Sequence, residues 1–277
     1  MADWRPNLHC RGREYPHIMG IVNVTPDSFH PRSRVIDPEL AVERALEMEK
    51  EGATWIDVGA ESTRPGAEEM SEKEEIERLI PVIRGIRSAL PEALISADTR
   101  KSGVALSAIE AGADMINDVS GLGDEKMVEI VAKHNLPICV MHMRGVPENM
   151  QRNLDYDDVV EEVKGELARS AELLVHSGLD ASMIVIDPGI GFGKSLDQNL
   201  LLLKAGRSLV PDERMSLMWG VSRKSMFKDL LGRESTEERL SGTLGVAAMA
   251  KEKGVDILRV HDVGEHVDLF RAMLSVG

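Results

Sequence analysis

Short apolar runs alternate with longer amphipathic segments along the whole 277-residue chain. The apolar runs lack strict alternation of polar and apolar positions, which is typical of strands buried on both faces of a parallel sheet. Eight such runs are predicted to be strands: His17–Val22, Thr54–Val58, Leu94–Ala97, Met115–Asn117, Pro137–Met141, Met183–Ile186, Leu217–Val221 and Ile257–Val260.

Helical periodicity follows the strands. Ser71–Leu90 begins with Ser-x-x-Glu, a pattern that caps a helix N-terminus, and several segments end near a glycine that supplies a left-handed C-cap, namely Gly52, Gly112, Gly178 and Gly254. The predicted helices are Pro38–Lys50, Ser71–Leu90, Ser102–Ala111, Glu125–His134, Tyr156–Ser177, Leu196–Ser208, Ser235–Lys253 and Glu265–Ser275. This order predicts an α/β protein with a single closed (β/α)8 barrel, a TIM barrel, over residues 1–277. An open, doubly wound sheet is the structural alternative.

Composition and charge limit the classes of molecule that the chain can bind and the compartment in which it works. The formal net charge is −14 and the pI is about 5.1, which disfavours nucleic acid and anionic membrane as partners, because both require a basic face. An anionic small-molecule substrate would need a local basic pocket. Cys10 and Cys139 lie far apart, and Cys139 falls in an apolar run, so a buried thiol in a reducing compartment is expected. With no signal peptide and no apolar stretch near the roughly 20 residues that cross a bilayer, a cytoplasmic protein is predicted.

Polar side chains follow every predicted strand, at the end of a barrel where active sites form. Asp98, Asn117 and Asp187 end three of the strands. Carboxylates and an amide in a partly dry pocket suit a heterocycle with several N–H donors. The alternative for each one singly is a cap that closes a βα turn. Asp187 and Lys224 are both expected at the solvent-facing mouth.

A basic group accompanies these acids: Arg64, Lys224, Arg259 and His261 are candidates for an anion site. Singly, each could equally be a solvated charge or the partner of a nearby acid. His142 and His261 are conceivable metal ligands, but no zinc-binding spacing supports them. An oxygen-ligated Mg²⁺ bound with substrate agrees better with the sequence.

Two further segments combine glycine or serine with cations. Gly189-Ile-Gly-Phe-Gly-Lys fits neither a Walker loop nor a dinucleotide fingerprint, and is interpreted as a tight turn that lets the backbone approach something flat. Ser222-Arg-Lys-Ser is expected to open a helix whose N-terminus can hold a carboxylate. Neither a nucleophile elbow nor a Ser/His/Asp order is found, so a covalent enzyme intermediate is disfavoured.

Taken together and in order, the segments after the strands resemble the dihydropteroate synthases, over residues 18–262. The segments are Met19-Gly-Ile-Val-Asn-Val-Thr-Pro-Asp-Ser-Phe, Glu61-Ser-Thr-Arg-Pro-Gly, Asp98-Thr, Asn117-Asp-Val-Ser-Gly, Met141-His-Met, Asp187-Pro-Gly-Ile-Gly-Phe-Gly-Lys, Ser222-Arg-Lys-Ser and Arg259-Val-His-Asp.

The resemblance implies a reaction that joins 6-hydroxymethyl-7,8-dihydropterin pyrophosphate to p-aminobenzoate, with Mg²⁺, in folate biosynthesis, by dissociative loss of pyrophosphate. It also implies a homodimer and a sulfonamide target. By motif, it assigns the pterin to Asp98, Asn117, Met141, Asp187 and Lys224, of which all but Met141 are the implied catalytic residues. It assigns the pyrophosphate to Asn23, Arg64, Arg259 and His261, and Mg²⁺ to Asn23. It assigns p-aminobenzoate to Phe29, Thr63, Arg64, Pro65, Phe192 and Ser225.

One loop departs from the family pattern, in which Asp-Ser-Phe continues with Ser-Asp-Gly-Gly. Here the continuation is His30-Pro31-Arg32-Ser33-Arg34. An arginine of this loop could take over part of the anion or aminobenzoate contact; a variant loop with ordinary activity is the alternative. Two other functions compete with the synthase. A pterin-dependent methyltransferase would not need the Ser222-Arg-Lys-Ser and Arg259-Val-His-Asp segments, and a non-catalytic pterin-binding protein would release no product.

Overall fold

The computed structural model describes residues 14–24, 38–62, 66–67, 69–145, 149–150 and 154–276. Within them, eight parallel strands close into one barrel in chain order. Closure is made by the first and last strands, which pair from His17↔Ile257 onward. The (β/α)8 barrel is therefore confirmed and the open sheet is wrong. The strands are β1 (His17–Asn23), β2 (Trp55–Gly59), β3 (Leu94–Asp98), β4 (Met115–Asp118), β5 (Ile138–Met141), β6 (Ile184–Asp187), β7 (Ser216–Trp219) and β8 (Ile257–Val260), all within two residues of the predicted bounds.

The helices surround this barrel. The predicted capping box at Ser71 is present, since its side chain accepts from the Glu74 N–H while the Glu74 side chain accepts from the Ser71 N–H. The four glycines expected at helix ends all have positive φ, between +69° and +109°. The helices are α1 (Pro38–Glu51), α2 (Glu72–Ala89), α3 (Ser102–Ala111), α4 (Lys126–His134), α5 (Val159–His176), α6 (Leu196–Ala205), α7 (Met226–Leu231), α8 (Leu240–Ala247) and α9 (Val263–Val276).

Three helix predictions differ from the structure. The continuous helix expected over Ser235–Lys253 is wrong. A 3-10 helix, Thr236–Arg239, precedes α8, and beyond Ala247 the backbone bonds are irregular: the N–H groups of Met249 and Ala250 bond i→i−3, and that of Lys253 bonds i→i−4. α5 starts three residues later than predicted, because the Asp158 side chain caps it, and α6 gives way to a 3-10 turn at Gly206. The six-residue α7 opens after Ser222-Arg-Lys-Ser as expected, although it is too short to show periodicity in the sequence.

The lumen of the barrel is packed with apolar side chains in its lower part. These residues are Met19, Trp55, Met115, Cys139, Val185, Met218 and Ile257, all at most 1% exposed. Cys139 is a free, buried thiol whose pKa is raised by burial, as the composition predicted. The larger core lies between strands and helices. Across the described part of the chain, no helix combines the length and the apolar character that crossing a bilayer requires.

Candidate active site at the C-terminal end of the barrel

A polar layer lies directly above the apolar lumen. Residues two apart on a strand face the same side of the sheet. On four strands, the residue two positions beyond a lumen residue is polar or charged, and each lies within two residues of the C-terminal end of its strand. The four are Asp57, Asn117, Asp187 and Arg259.

The sheet register adds further groups to this layer. Gly59 has no side chain, and a Cβ placed there would lie 3.2 Å from Asp98 Cβ, so the glycine leaves room for the carboxylate of Asp98. On the other side of the barrel, Met141 is the register partner of Asp187 and is 3% exposed. Four consecutive register partners across β1 to β4 are Asn23, Gly59, Asp98 and Asn117.

Arg259 joins two carboxylates at the floor of this cavity. Its Nη2 donates to Asp98 Oδ2 at 2.7 Å, and its Nε donates to Asp57 Oδ2 at 2.6 Å. Asn117 Nδ2 donates to the same Asp57 oxygen at 3.4 Å, whereas Asp57 Oδ1 and Asn117 Oδ1 are buried without a hydrogen-bond partner. Buried acceptors without partners are rare in folded proteins unless a ligand supplies the donor. The floor therefore presents unsatisfied acceptors beside the guanidinium of Arg259.

Burial sets the charge of the floor. It raises the pKa of Asp98 to about 7; Arg259 opposes this rise, while the charge of Asp57 adds to it. Burial lowers the pKa of Arg259, but the charges of Asp57, Asp98 and Asp187 and the hydrogen bond to Asp57 together raise it above its usual value, so the guanidinium stays charged. One cation thus faces two acids, and Asp98 changes charge near neutral pH.

Asp187 and Lys224 form the opposite wall. Asp187 Oδ1 accepts from the Gly189 N–H at 2.7 Å, and at 4% exposure Asp187 is buried, so the expectation that it faces solvent is wrong. Lys224 Nζ donates to the Ile190 carbonyl and lies 4.3 Å from the ring centroid of Phe192, a cation–π contact. Part of the Lys224 side chain reaches the mouth, yet enough protein surrounds its ammonium that burial lowers the pKa to about 8, against the attraction of Asp187.

The glycine-rich segment is the tight turn that the sequence predicted. Gly189, Gly191 and Gly193 have φ of +66°, +83° and +62°. A Cβ on Gly189 would lie 1.9 Å from the carbonyl oxygen of His142, so only glycine fits there. The turn closes around Lys194, which is 4% exposed.

Lys194 ends the glycine-rich motif, and the sequence pattern predicts no role for it. Its Nζ lies 3.0 Å from Gly189 O, 2.8 Å from Phe192 O and 3.0 Å from His142 Nδ1. Burial lowers the pKa of Lys194 to about 7 and that of His142 to about 3. His142 is therefore neutral, and its Nδ1 faces the Lys194 amine. Over the described ranges, three or more His, Cys, Asp or Glu side chains nowhere converge on a metal-sized site.

His261 is oriented by the neighbouring strand end. Its Nδ1 lies 2.9 Å from Ser222 Oγ, which also accepts from the His261 N–H at 3.1 Å. Its carbonyl accepts from Arg44 Nη2 of α1 at 3.2 Å. Ser225 is exposed at the start of α7, beside Lys224.

A charged cluster lies at the base of the second loop. Glu61 accepts from the Met70 N–H at 2.8 Å, from Arg100 Nε at 3.0 Å and from Lys101 Nζ, also at 3.0 Å. Its side chain is 7% exposed. One carboxylate therefore joins the two ends of the segment 61–70 to the end of β3. Four predicted site residues lie outside the described residues: Phe29, Thr63, Arg64 and Pro65.

The structure thus brings most of the predicted residues to one rim and adds some that the sequence did not single out. Those brought together are Asn23, Asp98, Asn117, Met141, Asp187, Phe192, Lys224, Ser225, Arg259 and His261. Those missed are Asp57, Lys194 and Ser222. A signal for Asp57 exists in the sequence, since an acid in the middle of an apolar strand needs a buried partner.

Comparison with known proteins agrees with this geometry. Residues 19–261 match the family model described as pterin binding enzyme. The chain is 43% identical over 262 residues to the dihydropteroate synthase of Escherichia coli (strain K12), with 94% of this chain and 91% of that protein aligned. A probable bifunctional folylpolyglutamate synthase/dihydropteroate synthase of Haloferax volcanii is 45% identical over 93% of this chain, which spans only 30% of that longer protein.

A solved structure adds a three-dimensional match. The Xanthomonas albilineans dihydropteroate synthase, solved with 4-aminobenzoic acid, superposes with a TM-score of 0.88 at 39% identity, covering 97% of both chains. Matches of this identity and coverage show common descent over nearly the whole barrel, including every strand end that builds the polar rim. The chain belongs to the dihydropteroate synthase family of pterin-binding enzymes.

Proposed function

We propose that the chain joins the exocyclic carbon of 6-hydroxymethyl-7,8-dihydropterin pyrophosphate to the amine of p-aminobenzoate, yielding 7,8-dihydropteroate and pyrophosphate. The observation that carries the proposal is the floor of buried acceptors, in which Asp57 Oδ1 and Asn117 Oδ1 have no protein donor. A flat heterocycle with several N–H groups would satisfy them. A ligand that only needed a hydrophobic slot would leave them unpaired at a cost of about 1–3 kcal/mol each.

The pterin ring is recognised by short side chains on rigid strands. Asp98, Asn117 and Asp187 supply acceptors together with the unpaired oxygen of Asp57, and Met141 covers one face of the ring as an apolar wall. Lys224, held over the Phe192 ring and beside Asp187, supplies a donor from the mouth side. Because these groups sit at strand ends, little ordering is required when the ring binds.

Asn23, Arg64, Arg259 and His261 are proposed to hold the pyrophosphate. The donor set fits a Mg²⁺ ion whose ligands come mainly from the substrate, since Asn23 offers a single amide oxygen at the end of β1 and no acidic cluster is found among the described residues. When bound, Mg²⁺ would neutralise charge on the leaving oxygens. The permanently charged Arg259 does the same from the floor.

The second substrate is proposed to lie nearer the entrance, between Phe192 and the loop residues Phe29, Thr63, Arg64 and Pro65, with its carboxylate near Ser225. Ser225 is exposed and follows Lys224 directly, so an aryl carboxylate there would lie close to a cation.

The bond changes follow from these charges. The bond from the exocyclic carbon to the pyrophosphate oxygen breaks, and the electron pair leaves with pyrophosphate. The positive charge that remains on the carbon spreads into the pterin ring, where the carboxylates of Asp98 and Asp187 stabilise it. The aryl amine then forms the new C–N bond and loses one proton to water. No protein nucleophile is required at any step.

The test is pyrophosphate release with both substrates and Mg²⁺, with product mass as a second readout, in the parent, Asp187→Asn and Asp180→Asn. Asp180 caps the turn before β6, at the opposite end of the same strand, and its side chain is 60% exposed. We expect a loss of about 10²-fold or more in Asp187→Asn and none in Asp180→Asn. Pterin binding without pyrophosphate release would identify a non-catalytic binder instead.

We also infer a cytoplasmic homodimer. Leu201 of α6, with Leu230 and Leu231 of α7, are 43–48% exposed on neighbouring helices, which suits burial against a second copy. Sedimentation equilibrium of the parent and of a Leu230→Glu, Leu231→Glu variant checks this: a parent that sediments as a monomer at micromolar concentration contradicts it.

A further inference from the structure

Arg223 has a backbone conformation that its side chain disfavours. Its φ is +53°, in the left-handed region, where a residue with a Cβ is destabilised. Such residues persist only where the surroundings hold them, and they concentrate at functional sites. Arg223 lies in the middle of the Ser222-Arg-Lys-Ser segment, between two residues of the active-site rim.

Tertiary contacts hold the backbone of Arg223 on both sides. Its N–H donates to Thr243 Oγ1 at 3.0 Å, and its carbonyl accepts from Arg239 Nη1 at 3.2 Å. Thr243 is fully buried, and its hydroxyl also donates to the Arg239 carbonyl at 3.0 Å. The peptide groups flanking the left-handed residue are thus fixed by α8 and by the 3-10 helix before it.

The guanidinium of Arg223 makes a two-point contact with the neighbouring strand end. Its Nε lies 2.8 Å from Asp262 Oδ2, and its Nη2 lies 2.5 Å from Asp262 Oδ1. The two side chains are 23% and 12% exposed. A parallel pair of charge-assisted hydrogen bonds fixes orientation as well as distance. The pair therefore ties the β7 loop to the residue that follows His261.

The residues on either side of Arg223 contact different parts of the site. Ser222 bonds the His261 ring and N–H, whereas Lys224 donates to the Ile190 carbonyl of the β6 loop and faces Phe192. Across the left-handed turn at Arg223, two residues close in sequence thus contact the loops on either side of β7, Ser222 the one after β8 and Lys224 the one after β6.

We propose that Arg223 and Asp262 are a positioning pair for the transfer reaction: they touch no reacting atom, but they fix Lys224 and His261 in the places that substrate binding and departure of pyrophosphate require. This rests on the proposed function. Misplacement of a catalytic group by about 1 Å can lower a rate by about 10²-fold. The pair therefore sets turnover rather than stability alone.

The chain contains a matched control at the other end of the barrel. Arg87 Nη2 lies 2.5 Å from Asp114 Oδ2, with side chains 26% and 15% exposed, directly before β4. This pair has nearly the same burial and the same shortest N–O distance as Arg223–Asp262, but Arg87 makes one bond to the carboxylate and directs its other N–H groups to backbone carbonyls. It lies at the end of the barrel that carries stability rather than chemistry.

The experiment compares Arg223→Lys, Asp262→Asn and the double variant with Arg87→Lys and Asp114→Asn. We expect kcat at saturating substrates to fall by about 10²-fold in each of the first three, without further loss in the double variant, because one contact is removed in all three. The two control variants should lower Tm by about as much as the Arg223 and Asp262 variants do, and should leave kcat within about twofold of the parent. Equal kcat in both sets would overturn the proposal.

A second readout does not depend on turnover. Reductive ¹³C-methylation gives each lysine a resolvable NMR signal, and Lys224→Arg identifies that of Lys224. We expect this signal to shift in Arg223→Lys and Asp262→Asn and to stay in place in the controls. An unchanged signal in both pair variants refutes the positioning role, whether or not the parent makes dihydropteroate. An inactive parent whose signal responds as expected would reject the proposed function alone.

Discussion

Asp57 is the clearest test of the active-site floor, because it touches Arg259 and Asn117 and lies two residues before the end of β2. In Asp57→Asn the shape is kept and one negative charge is lost. Removing one partner of a buried ion pair destabilises a protein by about 3–5 kcal/mol. Arg259 keeps its second bond, at 2.7 Å to Asp98, so the low end, roughly 3 kcal/mol, is expected here. For a chain of this size that corresponds to a decrease in Tm of about 6–12 °C.

The same substitution has a kinetic consequence of predictable sign. The charge of Asp57 helps to raise the pKa of Asp98, whose carboxylate is the form that accepts N–H donors of the pterin. In the parent, kcat/KM for the pterin should therefore fall as the pH drops below about 7. In Asp57→Asn the neighbouring negative charge is gone, so the pKa of Asp98 falls and the acid limb of this profile moves to lower pH.

The assay is the pH profile of kcat/KM for the pterin pyrophosphate at saturating p-aminobenzoate, with thermal unfolding measured in parallel. Asp256→Asn is the control, because Asp256 is also a buried partner of an arginine, Arg207, but lies before β8 at the opposite end of the barrel. The control should lose stability and keep the parental acid limb. If the acid limb of Asp57→Asn stays in place or moves to higher pH, the assignment of the limb to Asp98 is wrong.

Three further predictions follow from the rim. Burial lowers the pKa of Lys224 to about 8, so kcat/KM should fall above that pH as the ammonium loses its proton. Lys224→Arg should remove this alkaline limb of the pH profile, while Lys224→Met should lower kcat/KM at every pH. An alkaline limb that survives in Lys224→Arg contradicts the assignment of the limb to Lys224. Gly189→Ala should destabilise the chain by more than about 3 kcal/mol, because the new Cβ would meet the His142 carbonyl. Thermal unfolding measures this. In the control Gly245→Ala the new Cβ would meet no neighbouring atom within 4 Å, so Tm should stay nearly unchanged. Glu61→Gln should raise KM for p-aminobenzoate several-fold and leave KM for the pterin near its parental value. The reason is that Glu61 joins the two ends of the loop that contains the predicted aminobenzoate residues. Steady-state kinetics with each substrate varied in turn tests this, and an equal rise in both KM values would contradict the prediction.

The sequence by itself determined the architecture and most of the rim. Apolar runs such as Met183–Ile186 predicted the strands, because a strand buried on both faces has no polar side to show, and eight such runs with intervening helices have few closed arrangements. The polar residues that follow them, such as Asn117 and Lys224, were identifiable because the carboxyl ends of parallel strands meet at one edge. The resemblance then supplied the substrates.

Only the tertiary structure decided which charges pair. Asp57 and Arg259 are separated by 202 positions in the chain, and nothing local in either segment indicates that they meet at 2.6 Å. The burial of Lys194 against His142 and the left-handed backbone of Arg223, which Thr243 of α8 holds, likewise depend on contacts between segments that are distant in sequence. Pattern and spacing record which face a residue occupies, whereas partner, depth and charge state depend on packing across the barrel, which brings together residues far apart in sequence.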